Sequence, residues 1–252
     1  MKTLFVAWQD PKTRQWLPVG WLSRKDDDYH VVYTKGAEAS ERFVSFGPFG
    51  RMINLHDAYV AKDLFPLFTN RLLPKSRLEY GDFLRWLGLD EGSDDALDQL
   101  SRSGGVRATD SLQIFPCPEP TSNNQYIVEY FSHGIRYMPL ASHRRIEDLS
   151  PGEQLYLMRD IPTPFDDDAM LMRADDPIFN LGYCPRFYSA EFTEILDLVG
   201  KDRVRVTVVA MNVDAPLQFR LRYRLAAPWP AGFSACWQEA FEPLAADTSG
   251  PI

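Results

Sequence analysis

The sequence predicts an α+β N-terminal domain followed by a mostly β, barrel-like domain. Three observations carry this expectation. Pro116-Cys117-Pro118-Glu119-Pro120 divides the chain: three prolines in five residues prevent both helix and central strand, and the Thr121-Ser122-Asn123-Asn124 run that follows stays solvated. Before that divide, strand-like segments give way to short helical segments and a closing strand. After it, six short strand-like segments follow one another with Pro and Gly between them, a pattern that predicts a closed or nearly closed barrel. The expected organisation is a first domain over residues 1–117, a linker over 118–125, and a second domain over 126–252 that includes the C-terminal tail.

Composition sets bounds on both domains. The chain has 252 residues, 45% of them hydrophobic, enough apolar material for one large or two small cores. No stretch approaches the ~20 apolar residues of a membrane-spanning helix. The apolar run at residues 4–8 is too short for a signal peptide, and Asp10-Pro11 breaks it. The three cysteines, Cys117, Cys184 and Cys236, are odd in number and far apart, with no C-x-x-C, so neither a disulfide framework nor a thiolate zinc site is expected. These features together predict a cytoplasmic protein with no membrane partner. The net charge of −8 argues against a protein that coats nucleic acid without specificity, because counterion release needs an excess of Lys and Arg. DNA contact, if made, is confined to a small local site, and the acidity leaves room for a protein partner.

In the first domain, residues 4–8 and 17–22 are apolar runs joined by a polar turn, which is a hairpin pattern. A third strand is expected at 29–34, after the charged turn Arg24-Lys25-Asp26-Asp27-Asp28. Residues 35–56 show no period and read as loop. Leu64 to Leu73 is a helical zone with Pro66 near its start, where proline is tolerated. Residues 77–87 place Leu78, Phe83, Leu84 and Leu87 near helical spacing, and Gly88 is a natural stop. A short helix at 94–101 is closed by Gly104-Gly105, and 106–116 returns to strand. The hairpin, the run Asn70-Arg71-Leu72-Leu73-Pro74-Lys75-Ser76 and the closing strand Ser111 to Pro116 resemble the small N-terminal subdomain of HipA-type kinases, over residues 1–117. The kinase machinery has no counterpart: there is no Gly-rich phosphate loop and no His-x-Asp catalytic loop. The resemblance implies a scaffold without the enzyme, available to a protein partner.

In the second domain, residues 126–130, 154–158, 169–173, 180–184, 203–211 and 217–225 read as strands. Residues 189–199 read as a helix with Ser189 as N-cap and Gly200 as its end, and the tail from residue 226 reads as coil.

Four constellations in this domain bear chemistry. Arg136-Tyr137 pairs a guanidinium fork for phosphate with a ring for base stacking; the residues alone also fit a surface Arg beside a core Tyr. Thr163-Pro164-Phe165-Asp166 is a turn with an aromatic and a carboxylate. Asp166, Asp167 and Asp168 are consecutive, but neighbours on a strand point to opposite faces, so no metal site is expected there. Leu181-Gly182-Tyr183-Cys184-Pro185-Arg186 adds a second aromatic and a second cation. Arg220, Arg222 and Arg224 alternate with apolar residues, which predicts one basic strand face, repeated by Arg203 and Arg205. Such a face serves as a phosphate track, or as a solvated face balanced by acids such as Asp202 and Asp214.

The order of the first three constellations, beginning at His133-Gly134-Ile135-Arg136-Tyr137, resembles a HIRAN domain over residues 126–225. The resemblance implies a small β-barrel whose family includes binders of single-stranded DNA 3′ ends. It places Arg136 and Tyr137 in the end pocket and gives Asp166 the role of accepting a hydrogen bond from the terminal 3′-hydroxyl. A carboxylate there attracts a hydroxyl and repels a continuing phosphate. Tyr183 and Arg186 match positions that reach the neighbouring phosphates. Thr163, Phe165 and Asp168 depart from the family's Asn-Pro-Tyr-Asp-x-Asn pattern; Phe165 keeps a stacking plane and loses a phenol donor.

No catalytic set is expected. The four histidines lack metal spacing, and no G-x-S-x-G, phosphate-binding or dinucleotide motif is present. The sequence therefore predicts a non-enzymatic protein without cofactor or metal that recognises single-stranded DNA ends, as an accessory in repair or in defence against foreign DNA. The alternative is a regulatory, antitoxin-like module whose domains bind protein.

Overall fold

The computed structural model describes residues 3–47, 52–90, 92, 95–160 and 169–245. The chain forms two units: residues 1–117 with 236–252, and residues 118–235. The second unit is thus an insertion in the first. The tail expected to stay with the second domain returns, from Cys236 onward, to the first.

In the first unit, β1 (Thr3–Gln9), β2 (Trp16–Lys25), β3 (Asp28–Tyr33), β4 (Tyr59–Ala61) and β5 (Leu112–Pro116) form one antiparallel sheet in the order β4-β3-β2-β1-β5. The β1–β2 turn is organised by Asp10. One of its oxygens accepts from the N–H groups of Lys12 (2.7 Å) and Thr13 (3.0 Å), the other from Ser40 Oγ (2.7 Å) and an Arg42 guanidinium N–H (3.2 Å). The Ser40 hydroxyl and the Thr13 N–H are the main causes that hold this carboxyl well below the usual range. Asp26 and Asp27, both at positive φ (50° and 67°), make the two-residue β2–β3 turn, the twist that suits a tight hairpin.

Three short helices follow: α1 (Pro66–Thr69), α2 (Tyr80–Leu87) and α3 (Ala96–Ser103). Two end signals act as expected: Gly88 terminates α2 at φ 67° and Gly104 ends α3 at φ 71°. Asp95, not singled out in the sequence, caps α3 by accepting from the N–H groups of Leu97 and Asp98. Leu67, Phe68, Leu97 and Leu100 bury against Leu4, Val6, Leu22, Val31 and Ile114 of the sheet. The closing strand is shorter than expected. Asp110, ahead of it, takes the Arg71 guanidinium at 2.6 Å and the Leu112 N–H at 3.1 Å. β4 was not foreseen, being three residues at a sheet edge.

The returning segment docks on this sheet. Lys35 Nζ meets Glu239 (2.9 Å) and Glu242 (2.8 Å), the Lys35 N–H donates to Glu242 O, the Leu244 N–H donates to Tyr33 O, and Phe241 packs edge-on against Phe5. Cys117 and Cys236 are disulfide-bonded, with Cα atoms 6.1 Å apart. This corrects the expectation that no cysteines pair: the two lie 119 positions apart, and only the fold brings them together.

In the second unit, β6 (Gln125–Phe131), β7 (Gln154–Arg159), β8 (Met170–Ala174), β9 (Phe179–Tyr183), β10 (Arg205–Met211) and β11 (Leu221–Pro228) form an antiparallel sheet in the order β6-β11-β10-β7-β8-β9. The strands do not close into the expected barrel. Among the described residues, the edges are linked by one bridge, in which His133, just beyond β6, and Tyr183, the last residue of β9, exchange two hydrogen bonds of 2.9 Å. Among the described residues, two helices accompany the sheet, α4 (Leu140–Glu147) and α5 (Arg186–Val199). Phe192 of α5 is fully buried against Tyr126, Tyr130 and Tyr188. α5 begins three residues before the expected Ser189 cap, because Pro185 already holds the chain at a helix entry and Ser189 is buried beside the Cys184 thiol. The first and last strands, β6 and β11, pair along their length from Arg222–Phe131 to Pro228–Gln125, so the two ends of this unit are adjacent. Among the described residues, no helix is long and apolar enough to cross a membrane.

Candidate nucleic-acid interface

The edge where β6 approaches β9 gathers the chemistry. Two backbones come close there because of Gly182. It sits at φ 119°, and a Cβ on it would lie 2.2 Å from Ser132 Oγ and 2.7 Å from the His133 carbonyl oxygen. Only a residue without a side chain permits the approach. Ser132 Oγ secures the seam by donating to Leu181 O at 3.1 Å.

The chain then turns through Gly134, at φ 73°, into a single 3₁₀ turn, Ile135–Tyr137. Arg136 and Tyr137 therefore sit in a turn beyond the strand. Gly134 lies near two aromatic rings: a Cβ there would be 3.3 Å from Tyr183 Cδ2 and 3.9 Å from Tyr137 Cδ2. The fold thus brings Tyr137 and Tyr183 to one place, although they are far apart in sequence. Tyr137 is 72% exposed, which removes the reading of it as a core residue. The Arg136 guanidinium carbon lies 4.6 Å from the Tyr137 ring centroid, and an Arg136 Nη2–H donates to the Tyr137 hydroxyl. A guanidinium stacked on an exposed ring offers a face to a base and N–H groups to a phosphate.

Tyr183 is held from behind. Its hydroxyl donates to Asp160 Oδ2 at 2.7 Å, and burial followed by that carboxylate pushes the phenol up to about 12. Asp160 in turn donates its N–H to Ala169 O at 2.8 Å, which ties together the two ends of the segment between them. That segment contains Phe165 and Asp166, with Asp167 and Asp168; it lies outside the described residues. Burial lowers the His133 imidazole to about 4, so it is neutral near pH 7. Arg186 opens α5, three residues after Tyr183.

The arginine stripe is not the open phosphate track that the alternation predicts. Leu217–Phe219 forms a 3₁₀ turn after Pro216, so Arg220 precedes β11 and its guanidinium donates to Ala215 O at 3.1 and 2.8 Å. Arg222 and Arg224 do share a strand face, but both meet Glu129 on β6. Arg224 donates to Glu129 Oε1 at 3.0 and 2.6 Å, and an Arg222 guanidinium nitrogen lies 3.8 Å from Oε2. Arg222 is 8% exposed. A balancing acid is Glu129, the cross-strand neighbour of Arg224. Arg203 lies in a 3₁₀ turn before β10, and Arg205 is exposed on that strand.

Asp160 and Gly134 carry the geometry of this edge and were given no role by sequence reasoning. Gly134 had a readable signal, since a glycine shortly after a strand marks a change of backbone direction.

No protein-family model matches the chain, and no curated protein matches it. Among solved structures, a protein from Lactobacillus plantarum is similar at a TM-score of 0.33 and 19% identity, over 41% of this chain and 96% of that one. The HIRAN domain of human HLTF is similar at a TM-score of 0.31 and 14% identity, over 42% and 81% respectively.

Proposed function

We propose that the second unit binds the 3′ ends of single-stranded DNA without catalysing a reaction, as an accessory to repair or to defence against foreign DNA. The observation that carries this reading is the exposed Arg136–Tyr137 stack set beside Tyr183 near Gly134. In this reading Tyr137 stacks on the terminal base and Arg136 holds a phosphate. Arg186 contacts a second phosphate, Tyr183 borders the site, Phe165 adds a second plane, and Asp166 accepts the 3′-hydroxyl. With Arg222 and Arg224 engaged by Glu129, only two phosphates are contacted strongly. That sets a shallow salt slope of about −1.4 in log K against log salt for a single strand.

Fluorescence anisotropy with a short labelled oligonucleotide tests this. The free 3′-hydroxyl strand should bind more tightly than the same strand ending in 3′-phosphate, and Asp166→Ala should erase the difference. Equal binding of both ends by the unmodified protein, or none at low salt, rejects it.

One observation favours a second reading, in which the same edge and the first unit bind protein. Leu140, 69% exposed, lies close in sequence to the exposed Tyr137 ring, and Glu129 removes the nearby positive face. Under that reading Tyr137→Ala and Leu140→Ala both abolish partner capture, and neither affects an oligonucleotide.

A further inference from the structure

The Cys117–Cys236 bond lies at the junction where the inserted unit begins and ends: the first unit stops at Cys117 and resumes at Cys236. We propose that this pair is a thiol–disulfide exchange site that controls how firmly the returning segment is locked to the first unit.

Three features support the assignment. The first is access. Both cysteines are half-buried rather than enclosed, and Ser234, Trp237 and Gln238 around Cys236 are exposed, so a small thiol reaches the bond. Cys184, by contrast, is buried at 2% exposure and takes part in no disulfide. The second is backbone conformation. Cys236 is held at φ 53°, in the left-handed region that residues with a Cβ avoid, and the covalent link helps to hold it there. The third is what remains when the bond is gone. The Lys35 pairs with Glu239 and Glu242, the Leu244 N–H to Tyr33 O and the Phe241 contact with Phe5 still hold the segment. Much of that set is exposed, so reduction loosens the segment without unfolding the sheet beneath it.

The chemistry balances with a low-molecular-weight thiol as reductant. Its thiolate attacks the Cys236 sulfur, the S–S bond breaks, and Cys117 leaves as a thiolate that takes up a proton. A second thiol attacks the mixed disulfide, releases Cys236 as a thiol and leaves as the oxidised small-molecule disulfide. Two thiols lose two electrons in total, and their two protons end on the two cysteines.

The experiment uses the full chain equilibrated in glutathione buffers of graded ratio. Free thiols are trapped with N-ethylmaleimide and mapped by mass, and amide exchange is followed in parallel. Cys117 and Cys236 should become labelled together in one transition, while Cys184 in the native protein stays unlabelled. In the reduced state the amides of Lys35 and Leu244 should exchange about tenfold faster or more. The Trp229 amide, bonded to Asn124 O inside the second unit, should not change. Cys236→Ser in oxidising buffer should reproduce the fast exchange. The proposal is overturned if oxidised glutathione yields no peptide cross-linked through Cys117 and Cys236. It is equally overturned if reduction of the unmodified protein leaves the Lys35 and Leu244 amides as protected as before.

Discussion

Gly182→Ala should open the seam between β6 and β9 while leaving the first unit intact. The new methyl would sit 2.2 Å from Ser132 Oγ and 2.7 Å from the His133 carbonyl oxygen. The hydroxyl can rotate away at the loss of its bond to Leu181 O, about 1 kcal/mol. The carbonyl cannot rotate, because it belongs to the bridge. The backbones must separate, and the two 2.9 Å bonds between His133 and Tyr183 go with them, about 1 kcal/mol each. Alanine at φ 119° adds about 1–2 kcal/mol of backbone strain. The expected loss is therefore about 4–5 kcal/mol, a large share of the ~5–15 kcal/mol that holds an ordinary domain together. Amide exchange at His133 and Tyr183 reads the local effect, and urea unfolding of the second unit reads the global one. Ser132→Ala is the informative background. It removes the hydroxyl obstacle and leaves the carbonyl, so the double variant should remain at least about 2 kcal/mol below Ser132→Ala alone. Retained protection of both amides, with a loss under about 1 kcal/mol, would refute the close-approach explanation.

Three further outcomes follow from the same unit. Glu129→Gln takes a carboxylate away from Arg224 and from the largely buried Arg222 and should cost about 1–3 kcal/mol in urea unfolding, while making the face more positive. His133 is lowered to about 4 by burial, against an ordinary value near 6.5; the unfolded chain therefore binds a proton that the folded one refuses between these values. Its contribution to stability should be full above pH ~6.5 and fall by up to about 3 kcal/mol as the pH drops toward 4, seen as the difference between the unmodified protein and His133→Gln. Tyr137→Ala removes an exposed ring, so stability should stay within about 0.5 kcal/mol while oligonucleotide binding weakens by about 1–3 kcal/mol in anisotropy titrations.

Much of the architecture was legible where one segment decides its own fate. β1 to β3 announce themselves because apolar runs are separated by charged turns, and Asp26-Asp27 accepts the positive φ that a two-residue turn demands. α3 carries its own start in Asp95 and its own end in Gly104. α4 gave no signal, because only Ser142 and Ile146 of its eight residues are buried and Leu140 at its start is exposed. The arginines show where local periodicity stops. It correctly places Arg222 and Arg224 on one face, but Glu129, which engages both, lies on another strand and becomes their neighbour only through the β6–β11 register. The cysteine pair escaped for the same reason, since spacing along the chain says nothing about an encounter made by folding. Of the site, the Arg136-Tyr137 and Tyr183 residue types were readable, and Gly134 marks a turn; that this turn brings the two rings near one another, and that Asp160 stands behind Tyr183, were not.

The adjacency of the ends of β6 and β11 has a consequence for the first unit. Joining two points of a chain through a flexible loop costs entropy that grows with the logarithm of loop length. Here the intervening residues fold into a sheet whose own first and last strands are paired, so they present two neighbouring ends instead of a long floppy excursion. Cys117 and Cys236 are 6.1 Å apart at Cα, a gap that a linker of about two residues can span. To the first unit, the whole of residues 118–235 is therefore equivalent to a short surface turn. The sheet, its helices and the returning segment should tolerate replacement of that span by Gly-Gly, as they would a change of hairpin loop.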